Sequence, residues 1–149
     1  MRNDTPWTVY ETTILRFADT KRLDVDLARP LSTPDRAALA ALGIGTPFAV
    51  ITAYNPGGRA LFPLRNAWRH LRLRIALVAR RARFVVACGE SPDSSHRERG
   101  FAVAMSRSDA AALARRFRQL AIYWFDGESF WLDGVLAARA PERLPALRQ

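Results

Sequence analysis

The side chains best suited to chemistry are one carboxylate, one imidazole and a set of amides: Glu98 and His96, with Asn55, Asn66 and Gln119. Tyr54 and Arg65 stand directly beside two of those amides. Glu98 with a suitably tuned pKa can act as a general base, so Glu98 and His96 are the candidate catalytic residues. Tyr54, Asn55, Arg65, Asn66 and Gln119 are the candidate ligand-binding residues. Glu98, Glu90 and Asp93 could instead hold Mg²⁺ against a phosphate ligand. A third reading leaves no chemistry, with Glu98 tying its loop to Arg65 as a structural carboxylate.

Other chemistries lack their signatures. With one cysteine and two histidines, a zinc site is not expected. His96-x-Glu98 matches the first half of a zinc deaminase signature, but the Pro-Cys-x-x-Cys half is missing. Gly57-Gly58 has neither the Lys-Ser/Thr of a P-loop nor the spacing of a dinucleotide fingerprint. No serine or cysteine sits in a nucleophile turn.

The elements that must position these residues follow from periodicity. Thr8 to Phe17 is rich in β-branched and aromatic residues and reads as a strand. Asp19-Thr20-Lys21 reads as a turn into Arg22 to Leu27, which alternates wet and dry. Thr33 caps a helix whose first position is Pro34 and which ends at Gly43. Phe48 to Ala53 is apolar on both faces, as a central strand is. Leu64, Ala67, Trp68, Leu71, Ile75 and Val78 recur at helical spacing, so residues 64–79 form a helix with that stripe inward and Arg65, Asn66, Arg69, His70 and Arg72 outward. Strands are expected at 84–88 and 101–105, a polar loop between them, and a helix from Ser108 to Arg118 with Ala110, Leu113, Ala114 and Phe117 inward. Asp126-Gly127 closes a hairpin of 121–125 and 129–132.

The order β-β-α-β-α-β-β-α-β-β predicts an α+β fold: a mixed sheet of about six to seven strands with one parallel βαβ unit and three helices. Residues 1–136 form the single domain, and 137–149 a loose tail. In a parallel unit, the C-terminal ends of strands 48–53 and 84–88 share one edge with the start of strand 101–105. Asn55, Asn66, His96, Glu98 and Gln119 converge there, where open α/β sheets bind ligands and a helix N-terminus favours an anion.

At these positions the chain resembles a bacterial family known only as domain of unknown function 3293. The resemblance lies in Ile51-Thr52-Ala53-Tyr54-Asn55-Pro56, in Asn66, in His96-Arg97-Glu98-Arg99-Gly100-Phe101-Ala102-Val103 and in Phe117-Arg118-Gln119-Leu120-Ala121-Ile122, within 48–132. It implies that Asn55, Asn66, Glu98 and Gln119 are the family's recurring polar positions. It implies no activity. Arg65 and Arg118 depart from the family pattern, where an acidic residue and a glycine are usual, so a site here would be more basic.

The net charge of +9 and a sequence pI near 11.2 attract nucleic acid, anionic lipid or acidic partners. Only Lys21 among the 23 basic residues is lysine, and an excess of arginine and alanine is also what a GC-rich genome produces by codon drift. No stretch reaches the ~20 apolar residues of a membrane span, no signal-peptide core precedes Trp7, and a lone Cys88 points away from an oxidising compartment. The expectation is therefore a cytoplasmic protein with no membrane partner. The leading functional reading is a domain binding a small anionic, nucleotide-like ligand, with catalysis left open. One alternative is a nucleic-acid module using Arg69, Arg72, Arg80 and Arg81. Another is a protein-interaction module using the aromatic hairpin of Tyr123, Trp124, Phe125, Phe130 and Trp131. Ligand, partner and oligomeric state are not specified by the residues.

Overall fold

The computed structural model describes residues 7–18 and 22–147. The expected turn at 19–21 lies outside them. The elements are α1 (Trp7–Glu11), β1 (Ile14–Ala18), β2 (Arg22–Asp26), α2 (Thr33–Ala40), β3 (Phe48–Thr52), a 3-10 turn (Pro56–Gly58), α3 (Pro63–Ala79), β4 (Phe84–Glu90), β5 (Arg97–Val103), α4 (Arg107–Arg116), β6 (Ala121–Phe125), β7 (Phe130–Gly134) and β8 (Glu142–Arg143). The eight strands of the described residues form one curled half-barrel in the order β2-β1-β4-β5-β3-β6-β7-β8, and every pairing among them is antiparallel.

This corrects the expected mixed sheet of six to seven strands with three helices: the described residues hold eight strands and four α-helices. It also removes the parallel βαβ unit. β3 and β4 do run the same way, but β5 is inserted between them, antiparallel to both. The C-terminal ends of β3 and β4 and the start of β5 therefore still share an edge, through an antiparallel ladder rather than a crossover.

Local chemistry explains the other differences. Thr8 to Thr13 was expected as strand, yet Trp7–Glu11 is helical. The hydroxyls of Thr12 and Thr13 donate to the carbonyls of Thr8 and Val9, at 3.1 and 3.0 Å, and so close its last turn. Ser32, not Thr33, caps α2, in a reciprocal capping box with Asp35. Beyond Leu136 the chain adds β8 to β7, and Leu144 is buried.

The core has two parts, one on each sheet face. One contains Leu15, Phe17, Val50, Ala87, Ala102 and Leu132, with Trp7 and Tyr10 of α1 and Leu39 of α2 packed over them. The other contains Ile51, Phe101, Val103 and Ile122 with Leu73 and Leu77 of α3 and Ala110, Leu113 and Ala114 of α4. Helix α3 is turned opposite to expectation. Asn66, Leu73 and Leu77 are its buried residues, while Leu64, Trp68, Leu71, Ile75 and Val78 are exposed. Two of its inward polar members are hydrogen-bonded, while His70 is held by ring stacking and its buried Nδ1 has no hydrogen-bond partner among the described residues. Asn66 bonds Asn55, and Arg69 donates to the carbonyls of Ala53 and Phe117. His70 stacks on Phe101 with ring centroids 4.5 Å apart, and burial, then Arg99 and Arg74, lower its pKa.

No helix among the described residues is long and apolar enough to cross a membrane.

Candidate functional site

Strand register places the site. Opposed residues of an antiparallel ladder share a face, so Leu15, Gly89 and Glu98 form one row across β1, β4 and β5. The next row is Phe17, Ala87, Gly100 and Thr52, and the one after is Ala102, Val50 and Tyr123. Where Ala87, Gly89, Gly100 and Ala121 stand, the sheet carries almost no side chain. That absence of bulk opens a cavity of about 300 Å³ beneath α1, walled by Tyr10, Thr13, Tyr123, His96 and Gln119 and closed by Asn55 and Gly58. At Gly100 the small residue is obligatory, because a Cβ there would run into the carbonyl of Ile51.

The loop after β3 is held by reciprocal amides. Asn55 adopts a left-handed conformation (φ 46°, ψ 64°), one that asparagine tolerates better than most residues. Its backbone N–H donates to Asn66 Oδ1 at 2.9 Å, and Asn66 Nδ2 donates back to Asn55 Oδ1 at 2.9 Å. The same Oδ1 accepts from the Leu61 N–H at 3.1 Å. Gln119 Nε2 donates to the carbonyls of Tyr54 and Phe117 at 3.0 and 3.2 Å. The Asn66 and Gln119 amides thus bind the protein's own backbone and loop.

Glu98 is different. Asn55 Nδ2 donates to its Oε1 at 2.8 Å, and His96 Nε2 lies 3.3 Å from the same oxygen. Its side chain is only 24% exposed, and among the described residues Oε2 has no hydrogen-bond partner. Burial raises the Glu98 pKa above the ordinary value, against the opposing pull of the Asn55 hydrogen bond and of His96. Tyr10 is pushed up to about 12 by burial and then by the charge of Glu98, and the Tyr123 phenol is also raised, chiefly by burial, with Tyr10 and Glu98 adding to it. The Tyr123 hydroxyl donates to the Tyr10 carbonyl at 2.7 Å, fixing α1 over the cavity.

The sequence set is thus brought together in part. Asn55, His96, Glu98 and Gln119 line the cavity, and Asn66 braces it from behind. Tyr54 does not line it: its ring meets His70 edge-on at 6.1 Å, and its carbonyl serves Gln119. Arg65 lies across the loop in a separate shallow groove with Arg59, Trp68, Arg72 and Arg118, so no Glu98–Arg65 tie exists. Arg118 has a positive φ of 58°, the conformation a glycine would adopt freely. Glu90 is taken by Arg16 at 2.6 Å, and Asp93 by the hydroxyls of Ser91 and Ser95, which hold its pKa at about 2. No group of three metal-ligating side chains converges among the described residues.

Tyr10, Thr13 and Tyr123 were missed, because α1 was read as strand and Tyr123 only as part of the aromatic hairpin. The signal that could have found them is the run of small residues on matching registers. In that hairpin Phe125 and Phe130 are buried, and Arg107 stacks on Trp124 and Trp131, 4.4 and 5.5 Å from the ring centroids. Of the arginines expected to face nucleic acid, Arg69 is tied to carbonyls, while Arg72, Arg80 and Arg81 are exposed.

Residues 51–122 match the model of a family described as "Protein of unknown function (DUF3293)". Neither a curated protein nor a solved structure matches the chain.

Proposed function

We propose, for a chain that belongs to the DUF3293 family over residues 51–122 and inherits no activity from it, that the domain binds a small polar molecule, neutral or positively charged, in the cavity at Glu98. The observation carrying this reading is the free Oε2 of a mostly buried carboxylate at the wall of a roughly 300 Å³ cavity. Pockets of that size take small ligands and use a few convergent polar groups for orientation. The lining includes Glu90 and Glu98 and no lysine or arginine. Glu90 is neutralised by Arg16, which leaves Glu98 as the carboxylate facing a ligand with no lysine or arginine in the lining to hold an anion, so the ligand chemistry is revised from the anionic, nucleotide-like expectation to an amine, amidine or amide donor. The raised pKa of Glu98 suits an acceptor that takes a proton from its ligand or shares one with it. Cys88, buried and unpaired, supports a reducing, cytoplasmic setting.

The test is thermal unfolding against a panel of small amines, amidines, amides and nucleobases, with their phosphorylated counterparts as controls. A ligand at ~100 times its Kd stabilises by about 2.7 kcal/mol, and each kcal/mol moves Tm by roughly 2–4 °C at this size. A shift from donor ligands that is lost in Glu98→Gln supports the reading. A shift only from the phosphorylated compounds, or from none, overturns it.

A further inference from the structure

Away from the cavity, α3 leaves an apolar face that none of the described residues covers. Phe62, Leu64 and Trp68 are 82, 84 and 61% exposed, and Leu71, Ile75 and Val78 continue the line down the helix. At 100° per residue Leu64, Trp68, Leu71, Ile75 and Val78 point away from the buried Leu73 and Leu77, and Phe62 stands at the cap position just before the helix. Seventeen residues make a ridge about 25 Å long, and a soluble monomer rarely leaves such a stripe to water.

The charge around it is one-signed. No acidic residue occurs between Asp35 and Glu90, and the nine arginines of that stretch equal the whole net charge of the chain. Arg65 and Arg72 flank the stripe on one side and Arg74 on the other. Arg59 stands before the helix, and Arg80 and Arg81 follow it. All six are exposed, and none forms an ion pair among the described residues.

We propose that α3 is a peripheral docking face for an anionic phospholipid surface, its apolar ridge entering the acyl boundary and its arginines meeting the headgroup phosphates. Interfacial helices have this composition, basic flanks with Trp, Phe and Leu on the opposite arc, and long arginine stems reach back to the headgroups. A second copy of the chain fits less well, since two such ridges would bring arginines against arginines. Nucleic acid fits the arginines but leaves leucine, isoleucine and valine without a role. The expectation of no membrane partner rested on the lack of a spanning stretch and of a signal-peptide core. A helix lying on the surface needs no span, and the cytoplasmic leaflet is the anionic one.

The test is flotation of the whole protein with vesicles of phosphatidylcholine alone and with vesicles in which about a third is replaced by phosphatidylglycerol. Sedimentation equilibrium of the parent and each variant runs in parallel. The protein is expected as a monomer that floats only with the mixed vesicles, with a blue shift in emission that Trp68→Phe removes. Ile75→Glu should weaken binding by about tenfold or more, and Arg72→Glu by about fivefold. Both sites are exposed, so thermal unfolding should match the parent. If Ile75→Glu unfolds, Leu71→Ser takes its place. Three results overturn the proposal: no flotation, or flotation indifferent to Ile75→Glu; a dimer that Ile75→Glu dissociates; or binding of single-stranded DNA, but not of vesicles, that Arg72→Glu weakens and Ile75→Glu spares.

Discussion

Asn55 joins the loop and the cavity in one side chain: its Nδ2 donates to Glu98 Oε1 at 2.8 Å while its Oδ1 accepts from Asn66 and Leu61 at 2.9 and 3.1 Å. Every polar atom of that amide has a protein partner, in a residue whose backbone is left-handed. The orientation of Glu98 is therefore inherited from the packing of α3 against the end of β3.

Asn55→Ala should cost about 3 kcal/mol, because it strands Leu61 N–H, leaves Glu98 with one support fewer, and places a Cβ residue at positive φ without a side-chain bond. Asn55→Gly keeps the backbone free and should recover about 1 kcal/mol of that loss. Equal denaturation midpoints for the two variants would contradict this account.

The pH dependence of stability separates Glu98 from the other carboxylates. In the fold its pKa is raised above the ordinary 4.5, so the folded state holds the proton more tightly than the unfolded chain does. Its contribution is fully present below the ordinary value and is lost as pH rises through the raised one. Glu98→Gln removes that titration. The Tm of Glu98→Gln relative to the parent should rise with pH above about 4.5 and level off beyond the raised pKa. A difference that stays constant across this range would mean the carboxyl is not perturbed.

Gly100→Ala directs a methyl at the carbonyl of Ile51 across the β5–β3 ladder. Backbone cannot yield as a side chain does, so the expected loss is about 3 kcal/mol, at the upper end for overpacking. Gly89→Ala meets only the methyl of Thr13, at 3.4 Å, and should cost about 1 kcal/mol or less. Chemical denaturation of both variants reads the contrast.

Arg69→Lys tests the fork over two strand and helix ends. Arg69 Nε donates to the Ala53 carbonyl at 2.6 Å and its Nη2 to the Phe117 carbonyl. A single ammonium cannot reproduce that fork. Losing one charged hydrogen bond should cost about 1.5–3 kcal/mol, seen as a lower Tm without a change in far-ultraviolet circular dichroism.

Much of the site was legible because it depends on strand ends. Asn55, Glu98 and Gln119 meet at one edge whether β3 and β4 are joined through a crossover or through an intervening β5, since both arrangements send those strands the same way. The facing of α3 was not legible. Two stripes compete on it, one through Leu64, Trp68 and Ile75 and one through Asn66, Arg69, His70 and Leu73. Periodicity favours the more apolar, yet the second wins because Asn55 and two carbonyls satisfy Asn66 and Arg69 and the Phe101 ring stacks on His70. Those partners are distant in sequence. Likewise the aromatic and β-branched composition of Thr8 to Thr13 favours a strand locally, and only docking of Trp7 and Tyr10 on the core favours the helix.

The insertion of β5 between β3 and β4 also sets a timetable for synthesis. β3 pairs only with β5 and β6, and both lie downstream of it in the chain. When Thr52 leaves the ribosome, the ladder partner of Ala49, Val103, is still to be made. At 5–20 residues per second that wait is roughly 3–10 s. Throughout it Phe48 to Ile51, apolar on both faces, has no neighbour to bond. The nascent chain is thus at its most adhesive while its middle third is being translated.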